Sequence, residues 1–453
     1  MKFISNSNDV SEFLGIKIIK NIPIKDISTD TRTLKKKSLF IAIKGNNFDG
    51  NDHIDTAIKK GASIVITDKK IYKNSNDKRI VYVPNSIDAL KKISKNIINS
   101  FQGKIVGITG SNGKTSTTSI ISQCIKGSSS TIKNFNNEIG MPLSIMNANR
   151  TSNTLVIEMG AAKPGDIHYL SSFLKPHIGV ITNIGNSHLA NLKNINGVFK
   201  VKSEIVNNIK KDGCLVIPSE NGKHESQWKK MRNDISIITF GLDKDADFRA
   251  SNIKYKTNSS AFTILSDKYC VEQKVNINLA GEHNIKNILA AYAVLFFLNK
   301  PEKSIVKNIS NVKLTGRQNQ SNWINRSTLI DDTYNANPDS VKKSVDLLSH
   351  SKKRKILVLG DMLELGRMRK QMHKDIGKYA LKKKIDIFVG FGDLAKYAVD
   401  EFGKNGIFFN NEGELKIFLK KNVSKGDIVL IKGSRGMQME KFINVGISRN
   451  RTC

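Results

Sequence analysis

The sequence predicts an α/β protein of three domains, in which largely parallel β-sheets are covered by helices. From residue 103 onward, short β-branched runs alternate with helical segments, which is the pattern of a parallel sheet between helices. A glycine-rich loop joins one such strand to a helix, and the length of 453 residues allows for several domains. We expect a small α/β domain over 1–82, a central parallel-sheet domain of the phosphate-loop type over 83–312, and a C-terminal Rossmann-like domain over 313–453.

The individual elements follow from apolar periodicity and from the residues that end each run. In the first domain, "SLFIAIKG" and "SIVITD" predict strands, and "NDHIDTAIKKGA" predicts a helix that ends at Gly61. In the central domain, "KIVGIT", "NTLVIEMG" and "HIGVITNIG" predict strands, residues 210–275 are rich in β-strand patterns, and "GEHNIKNILAAYAVLFFL" predicts a helix. In the third domain, strands are predicted by "STLIDDTY", "KILVLGDM", "IDIFVGFG" and "DIVLIKGSRG".

The net charge of +33 has two interpretations. It can indicate an anionic partner, or it can reflect a composition that is rich in lysine throughout. Lysines are frequent even on ordinary helix faces such as "DALKKISKNIINS", which favours the second interpretation. No basic stripe interleaved with aromatic residues is present, so we expect no nucleic-acid partner.

Other features of the composition exclude further classes. The four cysteines form no CxxC pair, which argues against a zinc or redox motif. No run approaches the roughly 18 apolar residues of a membrane span. The N-terminus lacks the apolar core of a signal peptide. We therefore expect a soluble, cytoplasmic protein, and a monomer.

The stretch "GITGSNGKTS" at 107–116 predicts a phosphate-binding loop. Its glycines let backbone N–H groups turn toward phosphate oxygens, and the following helix N-terminus adds partial positive charge. Lys114 would reach the β- and γ-phosphates, and the hydroxyl of Thr115 would ligate magnesium. The spacing is GxxGxxGKT, which differs by one residue from the usual GxxxxGK[ST] pattern. The expected nucleotide-binding residues of this loop are Gly107, Gly110, Ser111, Asn112, Gly113, Lys114, Thr115 and Ser116.

Polar side chains follow two other predicted strands. Glu158 ends "TLVIE", and His188 lies just beyond "GVITNIG". Because functional groups of open α/β sheets gather at the carboxyl ends of strands, these two could hold a second divalent cation between ATP and a substrate. In "GVFKVKSEIV", Lys200 and Lys202 are two positions apart on a helix and point to different sides, so at most one faces the site.

The third domain supplies further candidates. Arg317 in "TGRQN" could contact phosphates across a cleft, and Lys432 and Arg435 in "KGSRG" could bind a carboxylate. "DDTYNANPDS" ends a strand with two carboxylates and continues into a turn with two amides. These are Asp331, Asp332, Asn335 and Asn337.

Together, these motifs resemble the Mur ligases of bacterial cell-wall synthesis. The resemblance rests on the phosphate loop, "NNEIGMP", "EMGAAKPGDI", "TNIGNSHL", "VKSEI", "GEHNIKN", "TGR", "DDTYNANPDS" and "KGSRG", which occur in the family's order over nearly the whole chain. Members of this family have the same spacing in their phosphate loop. The segments "DTR" and "FDGNDHIDTA" resemble its UDP-binding domain, and the DNPR motif of the ligases that add diaminopimelate is missing.

The resemblance implies an ATP-dependent ligase that joins D-Ala-D-Ala to UDP-MurNAc-tripeptide through an acyl phosphate. It implies two Mg²⁺ ions and a CO₂-derived carbamate on Lys202, with Lys200 as the alternative lysine. It assigns the γ-phosphate to Lys114 and the metals to Thr115, Glu158, His188 and Lys202. The implied contacts are Asn284, Asn287, Arg317 and Asp331 for the nucleotide; Thr31, Arg32, Asp49, Gly50, Asn136 and Asn137 for the UDP substrate; and Asn335 and Asn337 for the dipeptide.

Three other classes remain as alternatives. The nearest is another ATP-dependent amide ligase, such as the one that adds the third residue of the peptide or a folylpolyglutamate synthase. A phosphate-loop kinase or GTPase would have no need for the first domain or for "KSEI". A nucleic-acid-binding protein would account for the charge and for none of the motifs.

Overall fold

The computed structural model describes residues 2–18, 21–45, 48–185, 189–219, 222–256, 259–314, 319–363 and 365–446. Within these residues the strands form three sheets of four, nine and six strands, one after another along the chain. This confirms the predicted α/β class with its three successive α/β units. Among the described residues, no helix has the length and apolar character that crossing a membrane would require.

The first sheet is parallel throughout, in the order β1-β2-β3-β4. The predicted helix after β2 is shorter than its pattern suggested, because it begins as a 3₁₀ turn at Gly50–His53 and ends before Gly61, whose φ is +87°. The elements are α1 (Ser7–Leu14), β1 (Asp26–Ser28), β2 (Ser38–Ile41), α2 (Ile54–Lys59), β3 (Ile64–Thr67), β4 (Ile80–Tyr82) and α3 (Ser86–Ser100).

The nine-stranded sheet has the order β13-β12-β11-β10-β9-β8-β5-β7-β6. Its strands are β5 (Lys104–Thr109), β6 (Ser128–Ser130), β7 (Thr154–Glu158), β8 (Ile178–Ile181), β9 (Cys214–Pro218), β10 (Ser236–Gly241), β11 (Phe248–Tyr255), β12 (Ser260–Ser266) and β13 (Val271–Ile277). β12 pairs antiparallel with both β11 and β13, and the other pairs of neighbouring strands are parallel. Its helices are α4 (Lys114–Cys124), α5 (Gly140–Met146), α6 (Asp166–Leu174), α7 (Leu189–Leu192), α8 (Ile195–Ser203), α9 (Gly222–Met231), α10 (Glu282–Phe297) and α11 (Glu302–Ser310).

The six-stranded sheet has the order β14-β15-β19-β16-β17-β18, with only β14 antiparallel to its neighbour. Its elements are β14 (Asn319–Asn322), β15 (Thr328–Asp332), α12 (Pro338–Ser349), β16 (Lys355–Gly360), α13 (Arg369–Lys382), β17 (Ile387–Phe391), α14 (Ala395–Phe402), β18 (Gly406–Phe409), α15 (Glu412–Asn422) and β19 (Ile428–Lys432).

The position of β5 determines where a ligand can bind. β5 lies between β7 and β8, so the strands that follow it in the chain lie on both of its sides. At such a switch point the loops after neighbouring strands separate and leave a crevice at the carboxyl ends of the strands. The glycine-rich loop follows β5 and therefore opens into this crevice.

Candidate active site

The glycine-rich loop connects β5 to α4 and requires glycine at two positions. Gly113 is the N-cap of α4 with a φ of +82°, and Gly110 has a φ of +143°. A Cβ on Gly113 would lie 2.3 Å from Asn287 Oδ1, and one on Gly110 would lie 2.0 Å from Thr182 Oγ1. Only glycine combines these dihedrals with such close approaches.

Neighbouring segments hold the loop in place. The ammonium of Lys114 donates to the carbonyl oxygen of Gly110 at 2.8 Å. Asn112 donates its backbone N–H to Asn183 Oδ1 at 2.9 Å, and Ser111 Oγ donates to the carbonyl oxygen of Gly185 at 2.9 Å. The loop is thus a fixed cradle with a cation at its centre, which suits a nucleotide's phosphates.

Glu158 stands beside this loop because β7 and β5 are adjacent parallel strands. Thr115 Oγ1 donates to Glu158 Oε2 at 2.7 Å, and Asn136 Nδ2 donates to Glu158 Oε1 at 2.8 Å. Glu158 is buried. The structure thereby brings together a hydroxyl and a carboxylate that the sequence predicts as metal ligands, and it adds Asn136 as the partner of that carboxylate.

Of the two lysines in α8, Lys202 points inward and Lys200 is exposed. Lys202 is 0% exposed, and its Nζ has no hydrogen-bond partner among the described residues. Burial, and after it the nearby ammonium of Lys114, lower the pKa of Lys202 to about 7 against the opposing effect of Asp166, Glu204 and Glu158. A large share of this amine is therefore neutral at neutral pH.

Two residues that follow Lys202 fix its helix, and sequence reasoning did not single them out. Glu204 accepts the backbone N–H groups of Gly165 and His168, at 2.8 and 2.9 Å, at the start of α6. Ser203 Oγ accepts a hydrogen bond of 2.7 Å from the buried indole of Trp228. Both residues lie within the "VKSEI" motif, and this motif was the signal in the sequence that could have identified them.

Two cavities adjoin the loop, and each is lined by both the central and the third domain. The smaller, of about 420 Å³, extends from the loop to the start of α10 and contains the predicted Asn284 and Asn287. Asn284 Nδ2 donates to the carbonyl oxygen of Ala280 at 2.7 Å, which fixes that amide. On the opposite wall, Lys432 Nζ pairs with Asp332 at 2.7 Å, and both are buried.

The larger cavity, of about 1000 Å³, runs past the other side of the loop. Its lining includes most of the predicted catalytic, metal and peptide-binding residues that the structure describes, namely Lys114, Thr115, Asn136, Asn137, Glu158, Asn335, Asn337 and Arg435. The predicted residues of the uridine end line neither cavity. They are Thr31, Arg32, Asp49 and Gly50.

The uridine-end candidates have local partners in the first domain. Arg32 forms an exposed ion pair with Asp30 at 2.8 Å. Asp49 accepts from the backbone and side-chain amides of Asn51, both at 2.9 Å, and caps the 3₁₀ turn after β2. Gly50 is buried, and a Cβ on it would lie 2.7 Å from the backbone nitrogen of Ile43. Their role in substrate binding stays a prediction.

The turn after β15 brings the third domain to the loop. Asp331 accepts from the backbone N–H and the hydroxyl of Thr333, at 3.1 and 2.7 Å, and burial raises the pKa of Asp331. Asn335 is exposed in the larger cavity, and its Oδ1 accepts the backbone N–H of Arg435 at 3.2 Å. Asn337 Nδ2 donates to Asn112 Oδ1 at 2.6 Å.

Two predicted residues, His188 and Arg317, lie outside the described residues. Among the residues that the structure does describe, no group of three His, Cys, Asp or Glu side chains is arranged to hold a metal ion.

The fold and the site define a three-domain protein of the phosphate-loop type, with its glycine-rich loop at the interface of the central and third domains. Models of the Mur ligase family match all three parts of the chain: the family catalytic domain over 23–97, the middle domain over 108–295 and the glutamate ligase domain over 316–435. The chain belongs to the Mur ligase family, and within it to the MurF ligases.

Similarity to individual proteins extends over nearly the full length. The chain is 34% identical over 448 residues to the UDP-N-acetylmuramoyl-tripeptide–D-alanyl-D-alanine ligase of Buchnera aphidicola subsp. Baizongia pistaciae, covering 98% of this chain and 96% of that one. The crystal structure of MurF from Acinetobacter baumannii superposes with a TM-score of 0.81 at 27% identity, covering 96% of each chain. The crystal structure of MurF ligase from Thermotoga maritima in complex with ADP superposes with a TM-score of 0.78 at 27% identity, covering 93% of this chain and 96% of that one.

Proposed function

We propose that this chain joins D-alanyl-D-alanine to the C-terminal carboxylate of UDP-MurNAc-tripeptide in the cytoplasm, with ATP as the energy source, for peptidoglycan synthesis. Its full-length relatives carry the name of this activity. The observation that carries the proposal is that the phosphate loop, Glu158 and the turn after β15 meet at one cavity of about 1000 Å³. A nucleotide, an acid and an amine could meet there.

Each domain has a role in the proposal. The first domain, over 1–82, would bind the uridine end of the substrate. The central domain, over 83–312, would bind ATP on the loop and the muramoyl peptide beside Asn136 and Asn137. The third domain, over 313–453, would present the dipeptide through Asn335 and close on the nucleotide through Arg317 and Asp331.

Thr115 and Glu158 fit a magnesium ion at the loop. Magnesium prefers oxygen ligands and is commonly bound by one or two carboxylates together with substrate phosphates. Thr115 Oγ1 and Glu158 Oε2 lie 2.7 Å apart at the start of α4 and offer such oxygens. Bound there, the ion would neutralise charge on the transferring phosphoryl group. The proposed second ion would depend on His188 and Lys202.

The environment of Lys202 suits a lysine side chain that reacts with CO₂. Its buried Nζ has no hydrogen-bond partner among the described residues, and its pKa of about 7 leaves much of the amine neutral. A neutral amine attacks the carbon of CO₂ and loses a proton, which leaves an anionic carbamate. The modification would replace a buried amine with a carboxylate-like group that can ligate a cation and that lies near the loop.

The chemistry then depends on the residues around the loop. The tripeptide carboxylate attacks the γ-phosphorus of ATP, the bond to ADP breaks, and an acyl phosphate forms. Lys114 compensates charge on the transferring group. The dipeptide amine next attacks the acyl carbon, phosphate leaves, and the amine loses a proton. Positive charge already fixed at the loop stabilises the oxyanion of this second step.

The decisive experiment measures phosphate and product together. The enzyme is incubated with ATP, Mg²⁺ and UDP-MurNAc-tripeptide, with and without D-Ala-D-Ala. Released phosphate is measured, and the masses of the nucleotide-peptides are determined by mass spectrometry. We expect product only with the dipeptide, heavier than the tripeptide substrate by the dipeptide less one water, together with one phosphate per product. Absence of this product from folded enzyme would refute the proposal.

A further inference from the structure

A short segment of the third domain lies over the phosphate loop and touches it at two points. Asn337 Nδ2 donates to Asn112 Oδ1 at 2.6 Å. Three residues earlier, the hydroxyl of Tyr334 lies 3.3 Å from Thr115 Oγ1. These loop partners stand on either side of the lysine assigned to the γ-phosphate. The contact between the two domains is therefore made at the nucleotide site itself.

The Asn112–Asn337 hydrogen bond joins two elements that are each held independently. Asn337 is the N-cap of α12, and its Oδ1 accepts the backbone N–H of Ser340 at 2.9 Å. Asn112 donates its own backbone N–H to Asn183 Oδ1 at 2.9 Å. Because the Asn337 oxygen caps a helix and its nitrogen reaches the loop, this side chain is oriented by the protein and bridges the domains.

We propose that Asn337 is a positioning residue, which acts through Asn112 to hold the third domain on the loop while the acyl phosphate exists. This inference rests on the proposed function. When the domain separates, water can attack the acyl carbon; the bond from that carbon to the phosphate oxygen breaks, and carboxylate, phosphate and a proton result. ATP is then consumed without amide formation. The hydrogen bond therefore determines how tightly ATP consumption is coupled to amide formation.

Three variants separate this role from helix capping. Asn337→Ser keeps a hydroxyl that can cap α12, because serine is a favoured N-cap residue, but it is too short to reach Asn112. Asn112→Ala removes the acceptor and leaves its backbone N–H in place. Asn411→Ser is the matched control, because Asn411 caps α15 in the same domain by accepting the N–H groups of Gly413 and Glu414.

The measurement is phosphate released per amide formed, with all three substrates saturating. Loss of one neutral hydrogen bond shifts a docking equilibrium by roughly two- to tenfold. We expect phosphate released without amide to rise by that factor in Asn337→Ser and in Asn112→Ala, and to stay at the wild-type level in Asn411→Ser. The double variant Asn112→Ala/Asn337→Ser should exceed neither single variant, because both changes remove the same bond.

This ratio does not depend on how much of a variant is folded, so partial unfolding leaves it unchanged. The inference would be overturned if both single variants released phosphate per amide at the wild-type ratio. It would also be overturned if the excess phosphate of the double variant equalled the combined excess of the two single variants. A wild-type enzyme that forms no amide at all would instead refute the proposed function, which keeps the two failures distinct.

Discussion

The hydroxyl of Thr115 donates a 2.7 Å hydrogen bond to Glu158, although 43 positions separate the two residues in the chain. The contact follows from strand pairing, because β5 and β7 are parallel neighbours with Ile108 opposite Glu158. The end of one strand therefore stands beside the helix that begins after the other. This places two magnesium-type oxygens next to the lysine of the phosphate loop.

Lys114→Ala should reduce turnover by roughly 10²-fold or more, because a preorganised charge at the transferring phosphoryl group would be lost. Amide formation under saturating ATP is the measurement. Lys126→Ala, just beyond the other end of α4, removes an exposed cation and is the matched control. Near-normal turnover in folded Lys114→Ala would exclude this lysine from the mechanism.

Glu158→Gln should raise the Mg²⁺ concentration needed for half-maximal activity by about tenfold or more, because a carboxylate ligand becomes a neutral amide. The change keeps the size of the side chain, so the fold should persist. Activity is titrated with Mg²⁺ at fixed ATP, with exposed Glu272→Gln on β13 as the control. An unchanged Mg²⁺ requirement would show that Glu158 does not hold the ion.

Lys202→Ala should be nearly inactive and partly restored by small carboxylates such as formate, which can replace the carbamate. Lys200→Ala should be mild, because that side chain is exposed. A direct measurement is ¹³C NMR after incubation with ¹³CO₂, in which the wild type and Lys200→Ala should show a carbamate signal and Lys202→Ala none. A carbamate that disappears in Lys200→Ala instead would assign the role to the other lysine.

The lowered pKa of Lys202 predicts a pH-dependent stability. Its pKa is about 7 in the folded protein and about 10.4 in an unfolded chain. Between these values the unfolded state binds more protons, so this residue's contribution to stability rises with pH across that interval. In CO₂-free buffer, the gain in unfolding free energy from Lys202→Met should be largest below pH 7 and should shrink toward pH 10. An equal gain at every pH would contradict the lowered pKa of Lys202.

The amine acceptor site should select D-Ala-D-Ala far above D-alanine, L-lysine or diaminopimelate. D-Ala-D-Ala offers a peptide bond and a more distant carboxylate that can pair with amides such as Asn335, and each polar group that the complex buries and a smaller amine leaves unpaired costs about 1–3 kcal/mol. The comparison is amide formed with each amine from UDP-MurNAc-tripeptide and from the corresponding dipeptide precursor. Efficient addition of lysine or diaminopimelate to the dipeptide precursor, with no reaction of D-Ala-D-Ala, would indicate a ligase for the third residue instead.

The sequence by itself determined the α/β class, the phosphate loop and the family. These are local or ordered signals: β-branched runs predict strands, the glycines at 110 and 113 predict a tight turn before a helix, and motifs in a fixed order identify relatives. The position of Glu158 at a strand end was also predictable, because strand ends of a parallel sheet converge.

Only the tertiary structure decided which side chains meet. Helical spacing showed that Lys200 and Lys202 point to different sides, but burial of α8 was needed to show that Lys202 is the inward one. In the same way, Asn337 was predicted as a dipeptide contact, and its bonds to Ser340 and Asn112 became visible only with the domains packed. Hydrogen bonds and desolvation depend on distances between elements far apart in the chain, and spacing along a sequence does not contain those distances.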